Sequence, residues 1–477
     1  MEQIGVANTL RSTATGTGRE SVITGGSGKK VAITTLGCKI NSYESELICQ
    51  ALRTDNWQVV RDTEVADLYL INTCTVTREA DRQARQQVRR AVRRNQDALV
   101  VVTGCYAQMD PDACAAIAGV DLVLGNDRKL DVHKLLPKLQ RGELAKVMVG
   151  DLDQHVGLAQ DLLAGYQDQT RAFVQVQQGC DQGCTFCIIH VARGPSRSLP
   201  LTLIKRQVQR LVMNDYPEIV ICGVDLGSYG ADLRVSGDDF KNLELSSSLD
   251  LTDLLKELLD LEYQADNPFR IRLSSIDPAH LENRLIELIA AEPRICPHIH
   301  LSLQSGNTLI LKRMKRRYDA DFVLERISSL RAKVPGLVLS CDVMVGFPTE
   351  TEEQFQDTAH MLKKLNIVYP HVFSYSERDG TPAARIPNNK QVAVPTRKSR
   401  NKKLREIGSQ LHAKLLAERV GSYAWVLPEN TKRGSTQVLC RAEDYLTVMM
   451  RCQDVVQGRW CYIQYTGVKD GHLLGKL

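Results

Sequence analysis

Cys180-Asp181-Gln182-Gly183-Cys184-Thr185-Phe186-Cys187 sets three thiols in a C-x3-C-x2-C loop, short enough for one turn of chain to aim all three sulfurs at a common centre. Three thiolates can hold three irons of a cubane cluster. The fourth iron is then open to chelate the amino and carboxylate groups of S-adenosylmethionine and poise its sulfonium for one-electron reduction. The competing reading is a zinc knuckle. Zinc usually takes four closed ligands, commonly in paired C-x2-C form, and no fourth ligand stands at standard spacing here, although His190 is near. Cys38, Cys74 and Cys105 are far apart in sequence, yet each closely follows an expected strand. Sites in open parallel sheets form beyond the carboxyl ends of strands, so three such loops can bring these thiols together. The alternative is three buried cysteines acting as small hydrophobes.

These thiols need rigid elements behind them. At 477 residues the chain holds roughly three domains of about 150 residues each. Hydrophobic residues at 43% and charged residues at 25% are ordinary globular usage and exclude a disordered or fibrous chain. No apolar run reaches the ~20 residues that cross a bilayer; the best, 337–347, is cut by Asp342. Residues 1–29 are rich in Gly, Ser and Thr, lack the apolar core of a secretory signal, and are expected to form a disordered tail. Fourteen cysteines without an export signal point to the reducing cytoplasm, where clustered thiols serve metals or catalysis more often than disulfides.

The expected fold class is α/β, in three parts. Over 30–140, strands at 31–35, 68–72, 99–103 and 122–124 alternate with helices, which predicts an amino-terminal parallel-sheet domain. After a linker at 141–170, six β/α units over 171–396 predict a central partial (β/α)6 barrel. Its strands fall at 173–177, 219–223, 271–274, 298–302, 338–345 and 369–373, with chemistry expected at their carboxyl ends. Arg397, Lys398, Arg400, Lys402, Lys403 and Arg405 mark a basic linker helix over 397–417. Residues 418–477 then alternate four β-rich runs, at 423–427, 436–440, 446–450 and 460–465, with turns. They predict a carboxyl-terminal small β-barrel.

On these residues the sequence resembles the radical S-adenosylmethionine methylthiotransferases. The likeness spans nearly everything after the tail. It includes Leu36-Gly37-Cys38-Lys39 with Asn41, Asn72-Thr73-Cys74, Thr103-Gly104-Cys105, the barrel cysteines with Ala192-Arg193-Gly194, and a last segment similar to the RNA-binding TRAM module. Thr35-Leu36-Gly37-Cys38-Lys39, Arg272-Leu273-Ser274-Ser275, Ser302-Leu303-Gln304-Ser305-Gly306 and residues 375–383 are most similar to the branch acting on N6-threonylcarbamoyladenosine in tRNA. The resemblance implies two 4Fe-4S clusters and S-adenosylmethionine. Cys180, Cys184 and Cys187 would hold the radical-generating cluster, and Cys38, Cys74 and Cys105 a second that supplies or relays sulfur. A tRNA anticodon stem-loop, a reducing electron donor and a sulfur donor are the implied partners. Chemical need agrees, because the C–H bond at carbon 2 of adenine is not usefully acidic and radical chemistry is the natural route to thiomethylation. Neighbouring alternatives are the methylthiotransferases for isopentenyladenosine tRNA and for an aspartate of a ribosomal protein. From another class comes a non-catalytic, zinc-containing RNA-binding protein. Two departures from the family pattern are His190, where proline is frequent, and Cys222, where threonine is common.

Gly223, Ser274 and Gln304, after the second, third and fourth barrel strands, stand where a barrel meets its cofactor, as do Gly346 and Phe347. Each alone reads equally as a turn or packing residue. Arg193, Ser196 and Arg197 are candidates for meeting the carboxylate and hydroxyl of a threonylcarbamoyl group. The one-sided run Arg78, Arg82, Arg85, Arg89, Arg90, Arg93 and Arg94, the patch Lys312, Arg313, Lys315, Arg316 and Arg317, and the linker run could grip RNA phosphates. Trp460, Tyr462 and Tyr465 read as barrel core or stacking platform. The remaining eight cysteines, Cys49, Cys114, Cys222, Cys296, Cys341, Cys440, Cys452 and Cys461, read as structural.

Overall fold

A computed structural model describes residues 7–8, 28–140, 142–153, 161–166, 169–233, 249–263, 267–429 and 434–477. Most of the tail expected over 1–29 and parts of the 141–170 linker lie outside these residues. The chain divides into two compact units, residues 1–168 with 188–195, and residues 169–187 with 196–477.

The first unit is one sheet built from β1 (Ala7–Asn8), β2 (Lys30–Leu36), β3 (Gln58–Val60), β4 (Leu68–Thr73), β5 (Leu99–Gly104), β6 (Leu122–Leu124) and β7 (Val147–Met148). The order is β1-β2-β4-β5-β6-β7, with β3 also paired to β2. Every pairing except that of β1 is parallel. Parallel strands covered on both faces must be apolar throughout, which is why β4 and β5 read LYLINT and LVVVTG. Tyr69, Ile71, Val100 and Val102 pack with Ala84, Val88 and Ala91 of the helix Arg78–Arg94. Leu68, Leu70 and Val101 pack on the other face with Ile48 and Leu52 of the helix Lys39–Thr54. The arginine-rich helix is started by Thr77, whose side chain accepts from Ala80 N at 3.1 Å.

In the second unit, β8 (Arg171–Gln175) leads to a short antiparallel ladder of β9 (Gln177–Gln178) and β10 (Arg197–Ser198). The strands β11 (Glu218–Cys222) and β12 (Arg270–Leu273) then complete a parallel sheet in the order β12-β11-β8. A second parallel sheet follows, formed by β13 (Ser275–Ile276), β14 (His298–Gln304), β15 (Val338–Val345) and β16 (Ile367–Ser374). β12 and β13 are successive pieces of one run broken at Ser274, so the six expected β/α units are realised as two sheets that part at this serine. The helices Leu201–Met213, Leu251–Leu259, Asn283–Ala291, Ala320–Lys333 and Glu352–Lys364 alternate with the strands. The long helix Val394–Arg419 then leads to a closed barrel ordered β17-β18-β19-β21-β20. Its strands are β17 (Tyr423–Pro428), β18 (Gln437–Ala442), β19 (Thr447–Arg451), β20 (Cys461–Lys469) and β21 (His472–Lys476). The sequence shows four of the five; the run HLLGK is no shorter than β19 but lacks a clear alternation, yet it is what closes the barrel.

This small barrel is joined to the amino-terminal ends of the central strands, at the opposite end from the cysteine loop. Arg171, Glu218, Arg270 and His298 open β8, β11, β12 and β14. Arg171 pairs with Glu429 at 2.8 Å, Arg270 with Glu443 at 3.0 Å, and His298 stacks on Tyr445 with centroids 4.4 Å apart. Arg272 chelates Glu218 at 2.7 and 2.9 Å and donates to the carbonyls of Ala442 and Glu443.

Candidate iron–sulfur centres

Strand register brings the first three cysteines to one edge of their sheet. Thr35, Asn72 and Thr103 are aligned neighbours on β2, β4 and β5, and Cys38, Cys74 and Cys105 follow them by two or three residues. Cys38 caps the helix Lys39–Thr54, and Cys105 begins the helix Cys105–Met109. Gly37 and Gly104 allow the close approach. Both have positive φ, +100° and +94°, and a Cβ on Gly37 would lie 2.7 Å from that of Cys74. Asn41 ties two of the loops together, donating to Leu36 O at 2.6 Å and Thr73 O at 3.0 Å.

Beneath these thiols lies a buried charged network. Arg193 donates through Nε to Cys105 Sγ at 3.3 Å, through its terminal nitrogens to Glu44 at 2.7 and 3.1 Å, and also to Asn41. Lys129 pairs with the same Glu44 and donates to Asn126 Oδ1 at 2.8 Å. Asn126 in turn reaches Cys105 Sγ at 3.8 Å. Burial alone would raise the Glu44 carboxyl, but Arg193 and Lys129 outweigh it and hold it below its ordinary value. Burial, aided by Arg193, pushes Lys129 down. The network thus sets two basic side chains, Arg193 and Lys129, against the single carboxylate of Glu44. In the sequence Arg193 is a candidate for meeting the carboxylate and hydroxyl of a threonylcarbamoyl group. The structure corrects this: Arg193 belongs to the first unit, is 1% exposed, and is spent on Cys105, Asn41 and Glu44.

The second triad occupies the loop after β9. Gln177 anchors that loop by donating to the carbonyls of Gln178 and Gly179 and to Ser196 Oγ at 3.0, 2.9 and 2.9 Å. Gly183 turns the chain at φ +55°, and Ser196 N donates to Asp181 at 2.9 Å. Ser196, another candidate for the substrate, is thus part of the loop's own clamp. Arg316 donates to Cys184 Sγ at 3.1 Å and to Asp277 at 2.7 Å. Its expected place in a phosphate-binding patch is therefore also corrected. Arg317 is turned to His280 at 2.7 Å, while Lys312 and Lys315 are exposed. In the linker helix Arg400 is likewise occupied, paired with Glu350 at 2.7 Å and Glu352 at 3.1 Å, whereas Lys398, Lys402, Lys403 and Arg405 face solvent.

Both triads suit a cluster. Burial, joined by the neighbouring Cys105, raises the Cys74 thiol to about 12, and burial raises Cys180 to about 12. Such thiols become thiolates when a bound cation supplies the compensating charge. Each triad also has an arginine donating to one sulfur, Arg193 to Cys105 and Arg316 to Cys184, the kind of supporting contact that orients and tunes a metal ligand.

Of the candidate cofactor contacts, Ser274 is 5% exposed and its Oγ has no hydrogen-bond partner, at the break between the two sheets. Gln304 ends β14 at φ +60°. Gly223 has no room for a side chain, since a Cβ would come within 2.9 Å of Leu226 Cα and 3.0 Å of Gln177 Oε1. Gly346, at φ +72°, faces Arg397, whose Cγ would lie 2.4 Å from a Cβ. Phe347 is fully buried with Ile310, Met314 and Tyr375. In the small barrel Tyr465 is core, and Trp460 lies under the Arg270 guanidinium. Tyr462 is exposed, stacked on Tyr423 with centroids 5.7 Å apart and tilted against Trp425 at 5.3 Å. Tyr423 and Trp425 lie on an expected strand, whose alternation alone does not say which face is exposed.

Residues 174–362 match the radical SAM superfamily, and residues 30–125 match the family described as Uncharacterized protein family UPF0004. The radical S-adenosylmethionine methyltransferase TsrM of Kitasatospora setae shares the fold, with a TM-score of 0.54 at 15% identity over 75% of this chain and 77% of that one. The threonylcarbamoyladenosine tRNA methylthiotransferase MtaB of Rickettsia prowazekii is 38% identical over 443 residues, 92% of this chain and 96% of that protein. The protein of the same name from Bacillus subtilis is 36% identical over 84% of each chain. A tRNA-2-methylthio-N(6)-dimethylallyladenosine synthase of Staphylococcus haemolyticus is 30% identical over 87% of this chain and 78% of that one. The chain belongs to the radical S-adenosylmethionine methylthiotransferase family.

Proposed function

We propose that this enzyme methylthiolates carbon 2 of N6-threonylcarbamoyladenosine beside the anticodon of tRNA. The observation that carries the reading is the gathering of six cysteines into two separate triads, each with an arginine donating to one sulfur. The similarity to threonylcarbamoyladenosine enzymes, at 38% and 36% identity against 30% for the dimethylallyladenosine enzyme, favours the substrate. When bound, a cluster on Cys180, Cys184 and Cys187 supplies the electron that cleaves S-adenosylmethionine, and one on Cys38, Cys74 and Cys105 supplies or relays sulfur. A second S-adenosylmethionine donates the methyl group.

The chain's own residues hold and orient these groups. Arg316 and Arg193 donate N–H to a cysteine sulfur of each triad, and Gly223, Ser274 and Gln304 line the approach of S-adenosylmethionine. Gly346 and Phe347 act behind that surface through the helix Val394–Arg419 and the core. The parts at 30–140, 171–396 and 418–477 divide sulfur delivery, radical generation and RNA binding among themselves, joined by the linker at 141–170 and the basic helix at 397–417. An anticodon stem-loop is gripped by exposed bases such as Lys312, Lys315, Lys402 and Lys403, and the electron and sulfur come from separate donors in the cytoplasm. A pocket built for a carboxylate and a hydroxyl rejects an apolar analogue, because its buried polar groups would be left unpaired. Reconstituted enzyme is therefore expected to modify tRNA bearing threonylcarbamoyladenosine and to leave isopentenyladenosine tRNA untouched, as read by nucleoside mass spectrometry. The reverse preference would overturn the substrate and keep the family.

A further inference from the structure

Within the second unit, β14, β15 and β16 bring together two imidazoles and a carboxylate outside the cysteine loop. Register pairs His300 with Ser340 and Asp342 with His371, so these side chains share one face of the sheet. Their neighbours on the other face, Leu301, Cys341, Val343 and Val372, are core. His300 Nε2 lies 3.2 Å from Asp342 Oδ1, and His371 Nδ1 lies 3.7 Å from the same oxygen. All three atoms fall within 4.8 Å of one another. Bonds of about 2.0–2.1 Å at a tetrahedral angle set ligand atoms about 3.3 Å apart, close to the His300–Asp342 separation of 3.2 Å and somewhat shorter than the 3.7 Å to His371.

The hydrogen bonding around the cluster favours a cation over a plain polar contact. His300 is 8% exposed, and its Nε2 makes no hydrogen bond although the carboxylate oxygen is within reach. Its other nitrogen, Nδ1, is held by Ser340 Oγ at 2.8 Å. Ser340 also meets His298 Nε2 at 3.0 Å, and His298 is fixed by stacking on Tyr445. Nδ1 is therefore turned to the Ser340 hydroxyl, and Nε2 is the nitrogen that faces the Asp342 carboxylate without a hydrogen bond, an arrangement that a cation held between them would complete. A histidine oriented through its second nitrogen by a hydroxyl is also the usual support of a metal ligand.

We propose that His300, Asp342 and His371 bind one divalent transition cation of the zinc class, with a remaining position open to solvent beside the exposed His371. The nitrogen and oxygen ligand set separates this site from the thiolate triads.

The test uses full-length, cluster-loaded protein, equilibrated anaerobically with one to two equivalents of Zn2+ and desalted, with zinc and iron measured by mass spectrometry and the zinc environment by X-ray absorption. One retained zinc per chain is expected, with only nitrogen and oxygen neighbours and unchanged iron. His371→Ala, at an exposed position that leaves folding intact, and Asp342→Asn should each lose that zinc at least tenfold while keeping their iron. No retained zinc, sulfur in its first shell, or equal zinc in the His371→Ala protein would overturn the proposal.

Discussion

Two cysteine triads with different surroundings should fail in different ways. Replacing Cys180, Cys184 and Cys187 with alanine is expected to remove about half of the reconstituted iron and abolish reductive cleavage of S-adenosylmethionine, because the open iron goes with it. Replacing Cys38, Cys74 and Cys105 should leave that cleavage intact and eliminate the methylthiolated product; both readouts come from one chromatographic assay. Arg193 offers a finer test at the same scale. It brings positive charge and an N–H to Cys105 Sγ, and loss of such a supporting partner typically weakens a metal site about 10- to 100-fold. In a background lacking the barrel triad, Arg193→Met should lose iron faster to a chelator and shift the remaining cluster to a more negative potential, with Arg193→Lys in between. A potential identical to the parent's would show that the guanidinium does not act on the cluster.

Among the elements, the outer face of β17 and β20 presents Tyr423, Trp425 and Tyr462 as an exposed aromatic surface. Base stacking on such side chains is worth about 1–3 kcal/mol per base. Trp425→Ala and Tyr462→Ala should therefore weaken tRNA binding in a filter titration by roughly 5- to 100-fold, while S-adenosylmethionine cleavage without tRNA is unchanged. Unaltered affinity in both variants would remove the RNA role from this face. These point variants are cleaner than deleting 418–477, which would strip Arg171 and Arg270 of their partners Glu429 and Glu443 and uncover the ends of the central strands.

At the scale of the whole molecule, the seam between the central sheets and the small barrel turns on Glu218. Burial opposes its ionisation, but Arg272 and Arg171 outweigh burial and hold the carboxyl near 2, down from 4.5. A depressed carboxylate contributes stability that is fully present above its unfolded pKa and is lost as pH falls toward the folded value. The shift corresponds to about 3 kcal/mol, lost between about pH 4.5 and pH 2. Urea unfolding of the second unit should therefore steepen in pH dependence across that window. Glu218→Gln should be less stable at pH 7 by an amount of this order and show a flatter acid limb; an unchanged limb would mean that the seam does not respond through this group.

The placement of the cysteines was legible in the sequence because short-range covalent geometry and strand periodicity decide it. C-x3-C-x2-C closes within one loop, and a cysteine just past each parallel strand must emerge at the same edge of a sheet. What the charged residues do was not legible. In the sequence Arg316 and Arg400 look like members of basic stretches that water would solvate, and Arg193 like a group free to meet substrate. Only the fold delivers Glu44, from 149 positions away, to Arg193, Asp277 to Arg316, and Glu350 to Arg400, and so converts surface charge into buried support. Likewise, Tyr462 and Tyr465 must point to opposite sides of a strand, since side chains alternate, but which side is core depends on how the barrel closes. That closure is made by β21, a strand with too little pattern to announce itself. The sequence by itself determined that Cys180, Cys184 and Cys187 share one loop and that Cys38, Cys74 and Cys105 leave one edge of a sheet, through spacing and alternation that act locally. The tertiary structure alone decided which cations serve those sulfurs, which aromatics face outward, and that His300, Asp342 and His371 meet, because each depends on partners that only long-range packing brings together.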